Sequence, residues 1–284
     1  MKFLNIFILL IFLNSCEIYS QEKYVEKYPN GNLKVEGFLV GKTLDSVYKE
    51  YYENGNIKTE GFYKNCEYKT NHISIYSSLQ TCGRINIKDS INIGKYHGTW
   101  KNYYENGILK SVFNYHCSFL QGNNYTYYEN GNLESIEFYN GGNLLTSIEY
   151  YENGFVAKNS LYTYIHNKKE SRNLKTTREL EYYENGNLKI QREIIEKEKN
   201  VEIETVKEYY PNGFLKSKTE LIDLEKNGIY REYYENGNVK YEGEFKNDKP
   251  IEKHYFYRED GRIDKIETWK KNKLIPLKDY KYNG

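Results

Sequence analysis

Apolar and charged residues alternate along much of the chain with a period of two. Leu33, Val35, Gly37 and Leu39 alternate with Lys34, Glu36 and Phe38; Val239, Tyr241, Gly243 and Phe245 alternate with Lys240, Glu242 and Glu244. Such alternation predicts strands in a sheet with one face packed and one face solvated. Each alternating run follows an Asn-Gly or Asp-Gly step, the strongest short-range hairpin signal. A two-residue loop would make the residue before that Asn a ladder donor, yet Pro29 and Pro211 occupy this position and have no N–H. A three-residue loop fits better, with Pro or Glu at the second place of a type I turn and Gly in the left-handed conformation of a G1 bulge.

The turn glycines are Gly31, Gly55, Gly107, Gly131, Gly154, Gly186, Gly213, Gly237 and Gly261, at intervals of 24, 52, 24, 23, 32, 27, 24 and 24 residues. The long interval reads as two periods divided at Gly83, giving nine clear units and one degenerate unit. Two strands and two tight turns in 24 residues leave no room for a crossover helix. The fold class is therefore all-β: an elongated, twisted antiparallel β-meander of tandem hairpins whose units contact mainly their neighbours. Shorter turns are expected at Asn140-Gly141-Gly142, Asn227-Gly228 and Asn247-Asp248. Residues 64–98, 156–181 and 190–207 depart from the period; Ile194, Ile195, Val201, Ile203 and Val206 suggest a longer hairpin in the last of these.

Seven units open with a tyrosine pair, while Lys27 takes the first place in the opening unit, and the turn register decides which member faces the core. The bulged register places Tyr51, Ile57 and Tyr63, with Tyr233, Val239, Tyr241 and Phe245, on the apolar face. Tyr52, Tyr104, Tyr128, Tyr183 and Tyr234 then form an aromatic ladder beside Lys58 and Glu60, a candidate binding face. If the register differs, the binding face moves to the first tyrosines.

The extreme N-terminus reads as an address. Phe3 to Leu13 is apolar except for Asn5, and eleven helical residues rise only about 16 Å against roughly 30 Å of hydrocarbon. This is a signal peptide rather than a span. Leu13-Asn14-Ser15-Cys16 resembles the lipobox of bacterial lipoproteins, which implies lipidation of Cys16 and cleavage before it. Glu17, rather than Asp, follows Cys16 and favours an outer membrane where the envelope has one. The expected division is a signal peptide at 1–15, a lipidated tether at 16–26, the repeat array at 27–272 and a cap or tail at 273–284.

Charge narrows the partners. Lys and Arg number 41 against 40 Asp and Glu, a net charge of +1, so no basic field exists to hold nucleic acid. Cys66, Cys82 and Cys117 remain after Cys16; Cys66 and Cys82 flank one irregular stretch and are the expected disulfide pair. No CxxC or finger spacing supports a metal site, and His72, His97, His116, His166 and His254 recur at no fixed unit position. The turn glutamates Glu53, Glu105, Glu129, Glu152, Glu184 and Glu235 read as structural, with neighbouring lysines compensating them. No nucleophile elbow or phosphate-binding glycine loop occurs, so neither a cofactor nor an enzymatic activity is expected.

The recurring Tyr-Tyr-Glu-Asn-Gly-Asn-Leu-Lys, extended by Thr59-Glu60-Gly61 and Tyr241-Glu242-Gly243, resembles the MORN repeat variant from about Lys27 to Trp269. The resemblance implies a β-hairpin array that serves as a binding surface for proteins or lipids. Many bacterial members are labelled antitoxins of toxin-antitoxin pairs, whereas a lipobox points away from the cytoplasm. The expected function is a membrane-anchored, non-enzymatic scaffold that binds another protein at the cell envelope. A glycan or cell-wall-binding module and an immunity protein are the alternatives.

Overall fold

A computed structural model describes residues 21–66, 92–167, 172–197 and 201–275. They form one open sheet of twenty-two strands. Successive strands pair antiparallel, from Gln21–Lys27 with Leu33–Val40 to Ile263–Lys270 with Lys273–Ile275. One short parallel pairing, Thr43–Tyr51 with Asn92–Ile93, is added beside them. No helix among the described residues is long and apolar enough to cross a membrane.

The wide turns have the bulged geometry that the prolines require. Gly55 N–H donates to the Tyr52 carbonyl at 3.0 Å and Tyr52 N–H to the Asn56 carbonyl at 2.8 Å. All nine turn glycines have φ between 83° and 93°, a region that costs an L-residue about 1–2 kcal/mol. At the other sheet edge, two-residue loops with both central φ positive reverse the chain, among them Cys117-Ser118, Gly141-Gly142, Asp223-Leu224, Asn247-Asp248 and Lys271-Asn272. These are type I′ turns, whose twist matches that of the strands. The reversal expected at Asn227-Gly228 thus lies at Asp223-Leu224; Gly228, with φ 94°, instead marks the break between Glu225–Lys226 and Gly228–Tyr233.

Three further expectations are corrected by the pairing. Ile57–Lys64 pairs directly with Lys95–Tyr103, so no unit stands between them and the 52-residue interval is a single step. Gly83 and His72 lie outside the described residues. Gln21–Lys27 and Lys273–Ile275 are strands of the sheet, so the array extends into both the tether and the tail drawn from the sequence. The departures at 156–181 and 190–207 are long hairpins: Val156–Asn167 pairs with Arg172–Tyr182, and Leu188–Glu196 with Glu202–Tyr209.

The third correction concerns the faces. Tyr51 pairs with Ile57 as the bulged turn demands, but Glu50 pairs with Thr59, leaving Lys58 as a second extra residue. A one-residue slip exchanges the faces of everything beyond it. Tyr51 and Ile57, and likewise Tyr233 and Val239, therefore lie opposite Tyr63, Tyr241 and Phe245 rather than with them. The packed face instead carries Val35, Leu44, Tyr48, Tyr63 and Trp100, with Tyr24, Leu39, Tyr96 and Tyr115 against them.

Glycine shapes this face at two places. A Cβ at Gly61 would stand 2.1 Å from the Trp100 ring, and one at Gly243 2.8 Å from the His254 ring. The third residue of Thr-Glu-Gly or Tyr-Glu-Gly is bare so that a ring from the next strand can lie across the backbone.

Candidate functional site

The recurring octad is consumed by the contacts between units. The second tyrosine of each of the first eight units donates its hydroxyl to the carbonyl of the first tyrosine in the next. Tyr28 reaches Tyr51, Tyr52 reaches Tyr103, Tyr104 reaches Tyr127 and Tyr128 reaches Tyr150, at 2.6–2.8 Å. Tyr151, Tyr183, Tyr210 and Tyr234 repeat the bond to Tyr182, Tyr209, Tyr233 and Tyr257. The asparagine before each Gly accepts from the N–H two residues on, as Asn54 does from Asn56 at 2.9 Å. Where an asparagine follows the Gly, it donates to the next turn: Asn56 to Glu105 O at 2.8 Å and Asn238 to Glu259 O at 2.7 Å. The bulged lysine closes the set, with Lys58 Nζ 2.7 Å from Glu50 and 6.0 Å from the centre of the Tyr52 ring. Lys34, Lys216 and Lys240 pair in the same way with Glu26, Glu208 and Glu232.

Tyr52, Tyr104, Tyr128, Tyr183 and Tyr234, the ladder singled out in the sequence, are thus half-buried clamps with engaged hydroxyls. Their ladder does not share a face with Glu60: Glu60 accepts from Tyr103 at 2.8 Å, on the opposite side of the sheet. The physical reason is again the extra residue Lys58. The first tyrosines stand on this outer face with the glutamates. Burial, together with the hydrogen bond to Glu36, pushes the Tyr51 hydroxyl up to about 12, and burial with Glu60 does the same for Tyr103.

The outer face keeps apolar groups in solvent. Val47, Phe62, Leu161, Ile165, Ile222 and Ile229 are all exposed there, Ile165 to 61%. Alternating charges run between them, Glu36 beside Lys49, Lys49 beside Glu60 and Glu60 beside Lys101. Two shallow depressions sit at equivalent places behind Gly61 and Gly243. One is lined by Val47, Lys49, Glu60, Phe62, Thr99 and Lys101, the other by Ile229, Glu242, Glu244, Glu252, Lys253 and Tyr255. In both, the register shifts next to the glycine, between Glu60 and Phe62 and between Glu242 and Glu244, and opens the ladder.

One cluster of chemistry-bearing side chains converges among the described residues. Cys66 is bonded to Cys117, with Cα atoms 5.9 Å apart, and not to Cys82, which lies outside the described residues. The pairing follows from topology: Cys66 lies two residues past the strand on one side of Lys95–Tyr103, and Cys117 begins the turn after the strand on its other side. His97 stands beside the bridge with Nδ1 4.0 Å from Cys117 Sγ, and its ring packs against His116 at 5.2 Å and Phe62 at 6.4 Å. Desolvation, then Lys64 and His116, hold the His97 pKa below its ordinary value, so the ring is neutral near pH 7. Three separate segments of the chain supply this cluster, and no sequence spacing signals it. His254, by contrast, is buried and engaged at both nitrogens by the Tyr241 hydroxyl and the Glu244 carbonyl. Cys16 lies outside the described residues.

Residues 44–65, 96–116, 120–140, 175–194 and 226–247 each match the MORN repeat variant. These five segments are similar to that repeat family. Each match coincides with a hairpin closed by a bulged Gly turn, and the unmatched turns at Gly31, Gly154, Gly213 and Gly261 have the same backbone hydrogen bonds. The hairpin array is therefore longer in structure than the matched segments. No curated protein matches the sequence. Among solved structures, the chain is similar to one in the crystal structure of TcdB2-TccC3-TEV, at 11% identity and a TM-score of 0.21. The similarity covers 84% of this chain but only 13% of that one.

Proposed function

We propose that this MORN-variant sheet is a membrane-anchored, non-enzymatic scaffold that binds another protein at the bacterial cell envelope. One observation carries the reading: the octad is spent on stacking the units, while the outer face presents apolar side chains in solvent between charges of alternating sign. Apolar anchors within a polar surround are the anatomy of a protein interface. The partner is a folded protein with a mixed face, apolar groups seated at the two depressions and charges opposing Glu36, Lys49, Glu60 and Lys101. Nucleic acid would demand a basic field that a net charge of +1 does not supply.

Anchoring rests on the lipobox at Cys16 and on acyl chains rather than on electrostatic attraction. Cross-linking in intact cells, followed by purification of the native lipoprotein, should recover one stoichiometric partner, and Phe62→Ser with Ile229→Ser should release it. Recovery of no partner removes the scaffold reading, and undiminished recovery with the double variant removes the outer face as its site. Cys16→Ser should leave the membrane fraction after carbonate washing; unchanged fractionation removes the lipid anchor.

A further inference from the structure

Cys66 follows one strand, Cys117 opens the turn after another and His97 lies on the strand between them, and all their ligand atoms lie within 4.8 Å of one another. We propose that they form a redox-gated site for a thiophilic divalent metal, zinc by preference, closed while Cys66 and Cys117 are joined and open once a dithiol reductant has cleaved them.

The chemistry is that of a two-Cys, one-His set with an open fourth position. On tetrahedral zinc, sulfur at about 2.3 Å and nitrogen at about 2.0 Å stand roughly 3.6 Å apart. Nδ1 of His97 and Sγ of Cys117 are already 4.0 Å apart. The dithiol gives two electrons and two protons to the sulfur–sulfur bond and leaves as its own disulfide. Zinc then takes both sulfurs as thiolates, two protons pass to solvent, and a water fills the remaining position.

The site does not depend on the disulfide for its assembly. Phe62 pairs with His97 across the ladder, which fixes the strand leading to Cys66. Ser118 N–H donates to the Tyr96 carbonyl at 2.7 Å, and Tyr96 N–H to Ser118 Oγ at 3.2 Å. These bonds tie the turn bearing Cys117 to the strand bearing His97 after the sulfurs part.

The test is cobalt(II) titration of the full-length chain carrying Cys16→Ser and Cys82→Ser, so that Cys66 and Cys117 are its remaining cysteines. Reduced with dithiothreitol and freed of it without air, the protein should bind one equivalent of cobalt. A thiolate-to-cobalt absorption band should appear, and zinc should displace it. The oxidised protein should show none. His97→Gln, which keeps the disulfide and both sulfurs, should weaken binding by about tenfold or more, since even an outer partner of a ligand commonly contributes that much. The proposal is overturned if the reduced protein gives no band, if the oxidised protein binds equally, or if His97→Gln binds as tightly as its parent. It is also overturned if reduction alone abolishes the β-sheet circular dichroism, because the pairing of three strands is what brings the ligands together.

Discussion

The first units and the middle units share one backbone and one turn but exclude water from the packed face in different ways. Near the N-terminus the face is aromatic. Trp100 lies 4.7 Å from Tyr63, 4.5 Å from Tyr96 and 5.8 Å from Tyr48, and its indole N–H donates to the Phe62 carbonyl. In the middle the same face is ionic. Arg192 pairs with Glu179, Glu181 and Glu204, and Lys158 with Glu179, beside the buried Ser147, Ser160 and Thr177. The difference teaches that the octad specifies the stack of units and leaves the packed face free. Rings build a core from dispersion and hydrophobic transfer, whereas half-buried ions must offset desolvation with one another. The aromatic end should therefore be the stable part of the array and the ionic middle the part that responds to pH and salt.

The largest expected effect is Trp100→Ala, which opens a cavity in the aromatic end and should cost about 3–5 kcal/mol. Hydrogen exchange should show protection lost across 33–64 and 95–116 while 156–209 keeps its own, because units of a repeat array couple mainly to their neighbours. Equal loss in both regions would mean a single cooperative core and would erase the contrast. Gly61→Ala comes next, since the new methyl must displace the indole; chemical denaturation should report about 1–3 kcal/mol of overpacking. A change within error would show that Trp100 does not depend on the bare backbone.

Gly237→Val probes the turn that both regions share. It should cost about 1–2 kcal/mol more than Glu235→Val, an exposed position of the same turn, by thermal melting, because φ is 87° at Gly237. Equal losses would remove the bulged turn. Tyr104→Phe deletes one clamp and should cost about 0.5–1.5 kcal/mol, with the same value for Tyr183→Phe if the clamps are independent of the face beneath them.

The smallest effect is a pH difference within the ionic middle. Desolvation raises the Glu204 pKa despite Arg192, whose charge lowers it. A carboxyl raised on folding favours the folded state when protonated; that contribution is complete below its unfolded pKa and is lost as pH rises through the folded value. Glu204→Gln should therefore match its parent near pH 4 and exceed it increasingly towards pH 7. At the C-terminal end, Glu267 has the opposite sign. The Lys265 hydrogen bond lowers its pKa, so its contribution is present at neutral pH and is lost as pH falls through that lowered value. Parallel pH profiles for Glu204→Gln and Glu267→Gln would refute this assignment of signs.

The sequence by itself determined the strand period, the meander and the bulged turn, because those follow from local facts. Pro29 has no N–H to donate, Gly55 tolerates positive φ, and 24 residues cannot hold a crossover. It also marked the residues of the octad, though as a surface rather than as the clamps they form. Only the tertiary structure decided which tyrosine faces which way, since one extra residue at Lys58 inverts the faces and no composition signals it. The direct pairing of Ile57–Lys64 with Lys95–Tyr103 and the bond between Cys66 and Cys117 have the same origin. Neighbours in a sheet are set by which backbone donors find acceptors across the ladder, and residues 51 apart in the chain become adjacent there without any mark in the intervening sequence.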